Sequence, residues 1–210
     1  MKRVFFLLPI TWVALFIGQP VGASPVIVGQ GAFTSPTIID FDAIGNEVGI
    51  TSQFSGSGVV FSGGIFGLTN FGDTSQFPGS EPAIASDWLY SQGNHGALPI
   101  TATFGSAETL VGFWDEVNAG DTTVITTFLG GVPHGSVSLV STGLSAVFFG
   151  VSDPSGFDSV TIDVTGSSNH FLGLDDFQFQ GPASSSVPEP SAAVLVMAGF
   201  LTLGFVKVKR

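Results

Sequence analysis

The chain has 210 residues, a formal net charge of −11 at pH 7, 44% hydrophobic but only 10% charged residues, and no cysteine. All five Lys+Arg lie at the ends, Lys2 and Arg3 in front and Lys207, Lys209 and Arg210 behind, while every one of the 16 Asp+Glu except Glu189 falls between them in residues 24–187. So acidic an interior repels phosphate backbones and anionic lipid, which excludes nucleic-acid binding, and the missing cysteine excludes disulfide staples, thiol chemistry and thiolate metal sites.

At the amino terminus, Lys2-Arg3 precede an apolar run from Val4 to Ile17, and Val21-Gly22-Ala23 supply modest side chains. This pattern predicts a signal peptide over residues 1–23, cut by signal peptidase between Ala23 and Ser24. Pro9, Gly18 and Pro20 and the short apolar length argue against a retained membrane helix. Residues 24–180 are long enough for one domain with a real core, and a Pro/Ser-rich linker occupies 181–187.

Along the domain, segments of Val, Ile, Thr and Phe alternate with Gly, Ser, Asn and Asp, and no segment keeps a helical period. The pattern predicts strands at Thr37–Asp42, Gly58–Ser62, Leu98–Phe104, Thr109–Asp115, Thr122–Leu129, Ser136–Val140, Ala146–Val151, Ser159–Thr165 and Leu174–Gln180. Val160, Ile162 and Val164 face one way and Thr161, Asp163 and Thr165 the other; Phe177 and Phe179 oppose Gln178 and Gln180 in the same manner. Short strands without covering helices predict an all-β fold, an antiparallel two-sheet β-sandwich of jelly-roll type, with a smaller immunoglobulin-like sandwich as the alternative. Asn70 to Gly96 is the longest stretch without alternation and reads as a functional loop.

Three groups of side chains within the domain have chemistry to offer. Asp40 and Asp42 near its start and Asp175 and Asp176 near its end form a calcium site if the strands bearing them lie side by side, with backbone carbonyls completing the oxygen shell. Turn-capping is the other role of such aspartates. Asp40-Phe41-Asp42-Ala43-Ile44-Gly45 begins like an EF-hand loop, but Ile44 and Thr51 stand where that loop needs ligands. Trp114-Asp115-Glu116, running on to Asp121, leaves a strand and offers an indole beside carboxylates: a second cation site, a sugar platform or an ordinary hairpin. Trp88 and Tyr90, spaced to point the same way in an extended segment, form a second stacking surface unless Trp88 plugs the core. Catalytic signatures are missing: no Gly-x-Ser-x-Gly, no His-Glu-x-x-His, no phosphate loop, and no interior Lys or Arg to stabilise an oxyanion.

The last 23 residues combine Pro188-Glu189-Pro190, the apolar run Ser191 to Val206 and a basic end. Sixteen helical residues rise about 24 Å, short of the roughly 30 Å hydrocarbon core, so the span is marginal, with its basic end held on the cytoplasmic side. Residues 188–210 resemble a PEP-CTERM sorting signal. The resemblance implies recognition by an exosortase in a Gram-negative, exopolysaccharide-producing bacterium, with a transient inner-membrane anchor and then the cell surface or extracellular matrix. Ile39-Asp40-Phe41-Asp42, Val147-Phe148-Phe149-Gly150-Val151 and Leu174-Asp175-Asp176-Phe177-Gln178-Phe179 are similar to lectin-like or carbohydrate-binding-like sandwiches found ahead of such signals. The expectation is a non-enzymatic exported protein that binds exopolysaccharide, touching membrane only through its terminal signals. The alternatives are a structural or adhesive surface protein and a glycan-active hydrolase, which needs only two carboxyls across a groove.

Overall fold

A computed structural model describes residues 23–69, 98–143, 146–166 and 171–182, together with the backbone of three short strands between 84 and 95. The apolar leader over 1–22, Tyr90, the side chain of Trp88, linker residues 183–187 and the terminal segment 188–210 lie outside the described residues. Ala23 and Ser24 are exposed just ahead of the first strand.

The elements are β1 (Val26–Val28), β2 (Thr37–Ile39), β3 (Val59–Ser62), β4 (Phe66–Leu68), β5 (Ile84–Ser86), β6 (Trp88–Leu89), β7 (Asn94–His95), β8 (Ile100–Val117), β9 (Thr122–Leu129), β10 (Val132–Val140), β11 (Val147–Thr165) and β12 (Leu172–Gln180). Two single turns of 3₁₀ helix, Gln30–Ala32 and Ser55–Ser57, are the helical content of the described residues. Every strand pairing is antiparallel.

Four expected strands are two continuous ones. Leu98–Phe104 and Thr109–Asp115 merge into the 18-residue β8, and Ala146–Val151 and Ser159–Thr165 into the 19-residue β11. Gly105-Ser106-Ala107 and Pro154-Ser155-Gly156 read as turns, but the chain bends there instead of reversing. The ladder between β8 and β11 shifts register between Ser152 and Phe157 and again before Ser159.

The bends divide one hydrogen-bonded sheet into two layers. The first runs β10, β9, the end of β11, the start of β8, then β3. The second runs β1, the start of β11, the end of β8, then β12, whose outer edge is shared by β2 and β5, with β4 beyond β5. Phe61 of β3 packs edge-on against Phe177 of β12 at 5.1 Å, and Phe104 lies 5.1 Å from Phe179, so the layers face each other across a phenylalanine core. Phe41, Phe61, Phe113, Phe149, Phe157 and Phe177 are fully buried. At roughly 1.5–3 kcal/mol for each fully buried large apolar side chain, these rings take the stabilising role that disulfides fill in many exported domains.

Between β9 and β10 the reversal is Gly130-Gly131, with φ of 59° and 77°, while Leu129 pairs with Val132. Two left-handed central residues make a two-residue turn whose twist matches its strands, and glycine adopts that geometry without steric penalty. The stretch read as one long loop contains β5, which adds to the second layer, and β6 and β7, which pair through Trp88 and His95.

Candidate functional site

β9 presents Thr123, Ile125 and Thr127 to the interior, all 0% exposed. A buried hydroxyl must find an acceptor, and each threonine finds an aspartate: Thr123 Oγ1 donates to Asp115 Oδ2 and Thr127 Oγ1 to Asp153 Oδ2, both at 2.8 Å. Asp153 sits at the bend of β11, where its Oδ1 also accepts the Ser155 amide at 3.0 Å and His134 Nδ1 lies 3.4 Å from its Oδ2. Asp115 is 4% exposed, and its Oδ1 has no hydrogen-bond partner. Burial pushes the Asp115 carboxyl up to about 7, against the opposing pull of the Thr123 hydroxyl.

Asp115 lines a cleft of about 170 Å³ together with Leu139, Val140, Ser141, Thr142 and Val147. Val140 and Val147 are 61% and 45% exposed. Ser141 is engaged: its hydroxyl donates to the carbonyls of Gly143 and Val117 and accepts from the Gly143 amide. The cleft thus combines aliphatic side chains with the exposed Thr142, while the unpartnered Asp115 Oδ1 is itself buried.

Trp114, the neighbour of Asp115 in β8, faces the other way, onto the outer side of the second layer. It pairs in register with Phe148 of β11 and Asp175 of β12, which gives a row of two aromatics and a carboxylate across three strands. The indole is half-buried, meets Phe148 edge-on at 5.7 Å and packs against Leu68, as Ala146 also does. Phe33 meets Phe148 in turn at 5.8 Å. In the next row Gly150 pairs with Gly112, and a Cβ at Gly112 would come within 2.7 Å of the Phe148 ring and 3.1 Å of Phe33, so both rings rest on bare backbone. The expected hairpin exit at Trp114-Asp115-Glu116 is thus strand interior: β8 continues to Val117, and Glu116 is 2% exposed.

Strands bearing the other aspartates do lie side by side, with Ile39 of β2 opposite Phe177 of β12. The Asp176 carboxyl is raised, first by burial and then by the nearby charges of Asp40 and Asp42, which brings these three together. Phe41 and Asp176 both adopt left-handed backbone, φ 58° and 47°, uncommon for residues with side chains. Asp40 and Asp42 are exposed, Asp42's amide donates to Asp40 Oδ1 at 3.4 Å, and Asp175 is 1% exposed and accepts the Asp176 amide at 2.8 Å. No group of three or more His, Asp or Glu among the described residues is arranged to hold a metal ion. Nor is any helix among them long and apolar enough to cross a membrane. Of the expected aromatics, Trp114 can be placed; the backbone of Trp88 is in β6, its side chain and Tyr90 being outside the described residues.

No protein-family model matches the sequence, and no curated protein matches it. Among solved structures, the carbohydrate-binding module TmCBM61 in complex with β-1,4-galactotriose is similar at 16% identity and a TM-score of 0.41, covering 66% of this chain and 100% of that one.

Proposed function

We propose that this protein is a non-enzymatic, exported β-sandwich of jelly-roll type that binds extracellular polysaccharide on the outer face of its second layer. The pair Phe148–Trp114 carries this reading, because it leaves a half-exposed indole beside another ring on the face of the second layer that points away from the phenylalanine core. A flat ring suits the C–H face of a sugar. Hydrolysis draws less support, since a glycosidase sets two carboxyls about 5–9.5 Å apart across a groove, and among the described residues the cleft beside Asp115 is lined by one.

The test is an exopolysaccharide pull-down with Trp114→Ala. Loss of roughly 1–3 kcal/mol of binding, in the range of a contact hot spot, is the expected result. Unchanged binding with a lowered melting temperature would assign Trp114 to packing and favour the structural, adhesive alternative.

In the same proposal residues 1–23 are a leader and residues 188–210 an exosortase-read signal, so that mature protein starts at Ser24 and ends close to Pro188. Mass spectrometry of native protein retaining Arg210 would overturn the transient anchor. Calcium is proposed at Asp40, Asp42, Asp175 and Asp176, supported by the closeness of Asp40 and Asp42 to Asp176 that raises its carboxyl, although no three of them are arranged as ligands without the ion. A hundredfold excess over Kd would then stabilise the fold by about 2.7 kcal/mol. A thermal shift that sodium chloride reproduces at matched ionic strength, or that survives Asp42→Ala and Asp176→Ala, would remove the site.

A further inference from the structure

A sheet edge carries backbone N–H and C=O groups that no neighbouring strand satisfies, and proteins keep such edges short or charged to stop further pairing. Most edges here are short: β1, β2 and β4 have three residues each and β3 has four, with the Phe61 amide of β3 already donating to the Thr51 carbonyl. β10 is the exception. It has nine residues, and among the described residues it pairs with β9 alone. Pro133 and the register shift before Gly135 blunt its start, but from Gly135 to Val140 its pairing with β9 runs unbroken. No charge guards it either: residues 122–152 contain no Asp, Glu, Lys or Arg. Ser136, Ser138 and Val140 are exposed on its outer side, while Val137 and Leu139 pack only partly buried against the core.

We infer that two copies of this chain associate through β10, strand against strand and antiparallel about a twofold axis at Ser138. This goes beyond the polysaccharide reading and does not depend on it. A twofold interface sets one patch against the same patch of the partner, so the patch must complement itself. With Ser138 opposite Ser138, Val137 meets the partner's Leu139 on the inner side and Ser136 meets the partner's Val140 on the outer side, since facing residues of an antiparallel pair share a side. The half-buried aliphatic side chains gain cover, no like charges meet, and the bulge before Gly135 stays outside the paired run. Elsewhere two copies repel, because residues 24–187 are acidic and hold no Lys or Arg; the uncharged edge is where close approach costs least. A basic partner would be drawn to the acidic surface instead, since this edge offers it no charge.

Sedimentation of the full chain tests this: the wild type should be a dimer that splits on dilution. Ser138→Asp sets a carboxylate against its own copy at the axis, and like charges directly opposite destabilise a strand pair, so this variant should sediment as a monomer with its circular dichroism spectrum unchanged. The register can be read separately, because the chain has no cysteine of its own. Facing Cα atoms in an antiparallel pair lie about 4.5–5.5 Å apart, inside the span of about 4.4–6.8 Å that a disulfide bridges. Ser138→Cys should therefore form a covalent dimer on mild oxidation. In Ser136→Cys the two thiols are offset by four residues along the strands, about 14 Å at 3.4 Å per residue, and should not. A monomeric wild type, a dimer that survives Ser138→Asp, or cross-linking no faster in Ser138→Cys than in Ser136→Cys would each overturn the inference. Pure protein that stays monomeric but joins other host proteins in an assembly lost in Ser138→Asp would give the edge to a different partner, and would overturn it too.

Discussion

Asp153 and Asp115 receive hydroxyls from the two ends of one strand, β9, yet their surroundings differ. Asp153 accepts the Thr127 hydroxyl and the Ser155 amide, lies beside His134, and locks the bend of β11. Asp115 has Thr123 and a cleft. One carboxyl is used up in holding the chain's path; the other is held in place with an oxygen to spare. Burial alone does not separate the two carboxyls, since both are almost fully enclosed. Their remaining hydrogen-bonding capacity does.

Asp153→Ala breaks the contrast hardest. Removing a fully buried carboxyl that accepts a hydroxyl and an amide leaves both donors unmet, at about 1–3 kcal/mol each, and at about 2–4 °C per kcal/mol for a chain of this size the melting temperature should fall by on the order of 10 °C. Asp115→Ala should cost distinctly less. Equal losses would erase the distinction.

The next effect is in pH. Asp115 ionises near its ordinary 3.8 in the unfolded chain and near about 7 in the folded one. Between those values the folded state holds a proton that the unfolded state has lost, so its stability falls as pH rises through the window. At about 1.4 kcal/mol per pH unit, reduced by relaxation around the site, the fall is roughly 2–4 kcal/mol. Chemical denaturation at several pH values should show this slope in the wild type and a flatter one in Asp115→Asn. Identical slopes would mean that the carboxyl is better solvated than its burial implies.

A smaller effect sharpens the comparison at the threonines. Thr123→Val removes the one hydrogen bond of Asp115 and should cost about 1 kcal/mol or slightly more, whereas Thr127→Val leaves Asp153 the Ser155 amide and should cost less. The reverse order in urea midpoints would mean that spare hydrogen-bonding capacity does not distinguish the two aspartates.

Much of the fold was legible from alternation. β9 spans the residues expected, and Val160, Ile162 and Val164 are buried as their spacing required. The bends of β8 and β11 were not, because glycine, serine and proline mark a bulge and a reversal with the same letters. Gln178 shows another limit: its side chain leaves the core, as alternation predicts, but is 3% exposed. Thr34 and Ser35 amides bond the Gln180 side chain, drawing the segment after β1 over that face, a long-range contact that no local pattern encodes. The proximity of Asp40 and Asp42 to Asp176 followed from placing their strands side by side. The Asp115 cleft was missed because Trp114-Asp115-Glu116 read as a strand exit. The available clue was elsewhere, in the hydroxyls of Thr123 and Thr127 on the apolar side of β9, which called for buried acceptors.

The cross-strand registers also orient the molecule. Val26 pairs with Ser152, Ser152 with Leu110 and Leu110 with Gln180, so the first residue of β1 and the last of β12 share one row at one end of the second layer. Val147, Asp115 and Leu174 share another, five residues further along β8, about 17 Å away at 3.4 Å per residue. Whatever is attached through either flank grips the domain by the same pole. Trp114 and Asp115 lie at the opposite end of the same strands, so a polymer held by Trp114, as proposed above, would be kept apart from anything joined to the flanks by the length of the second layer.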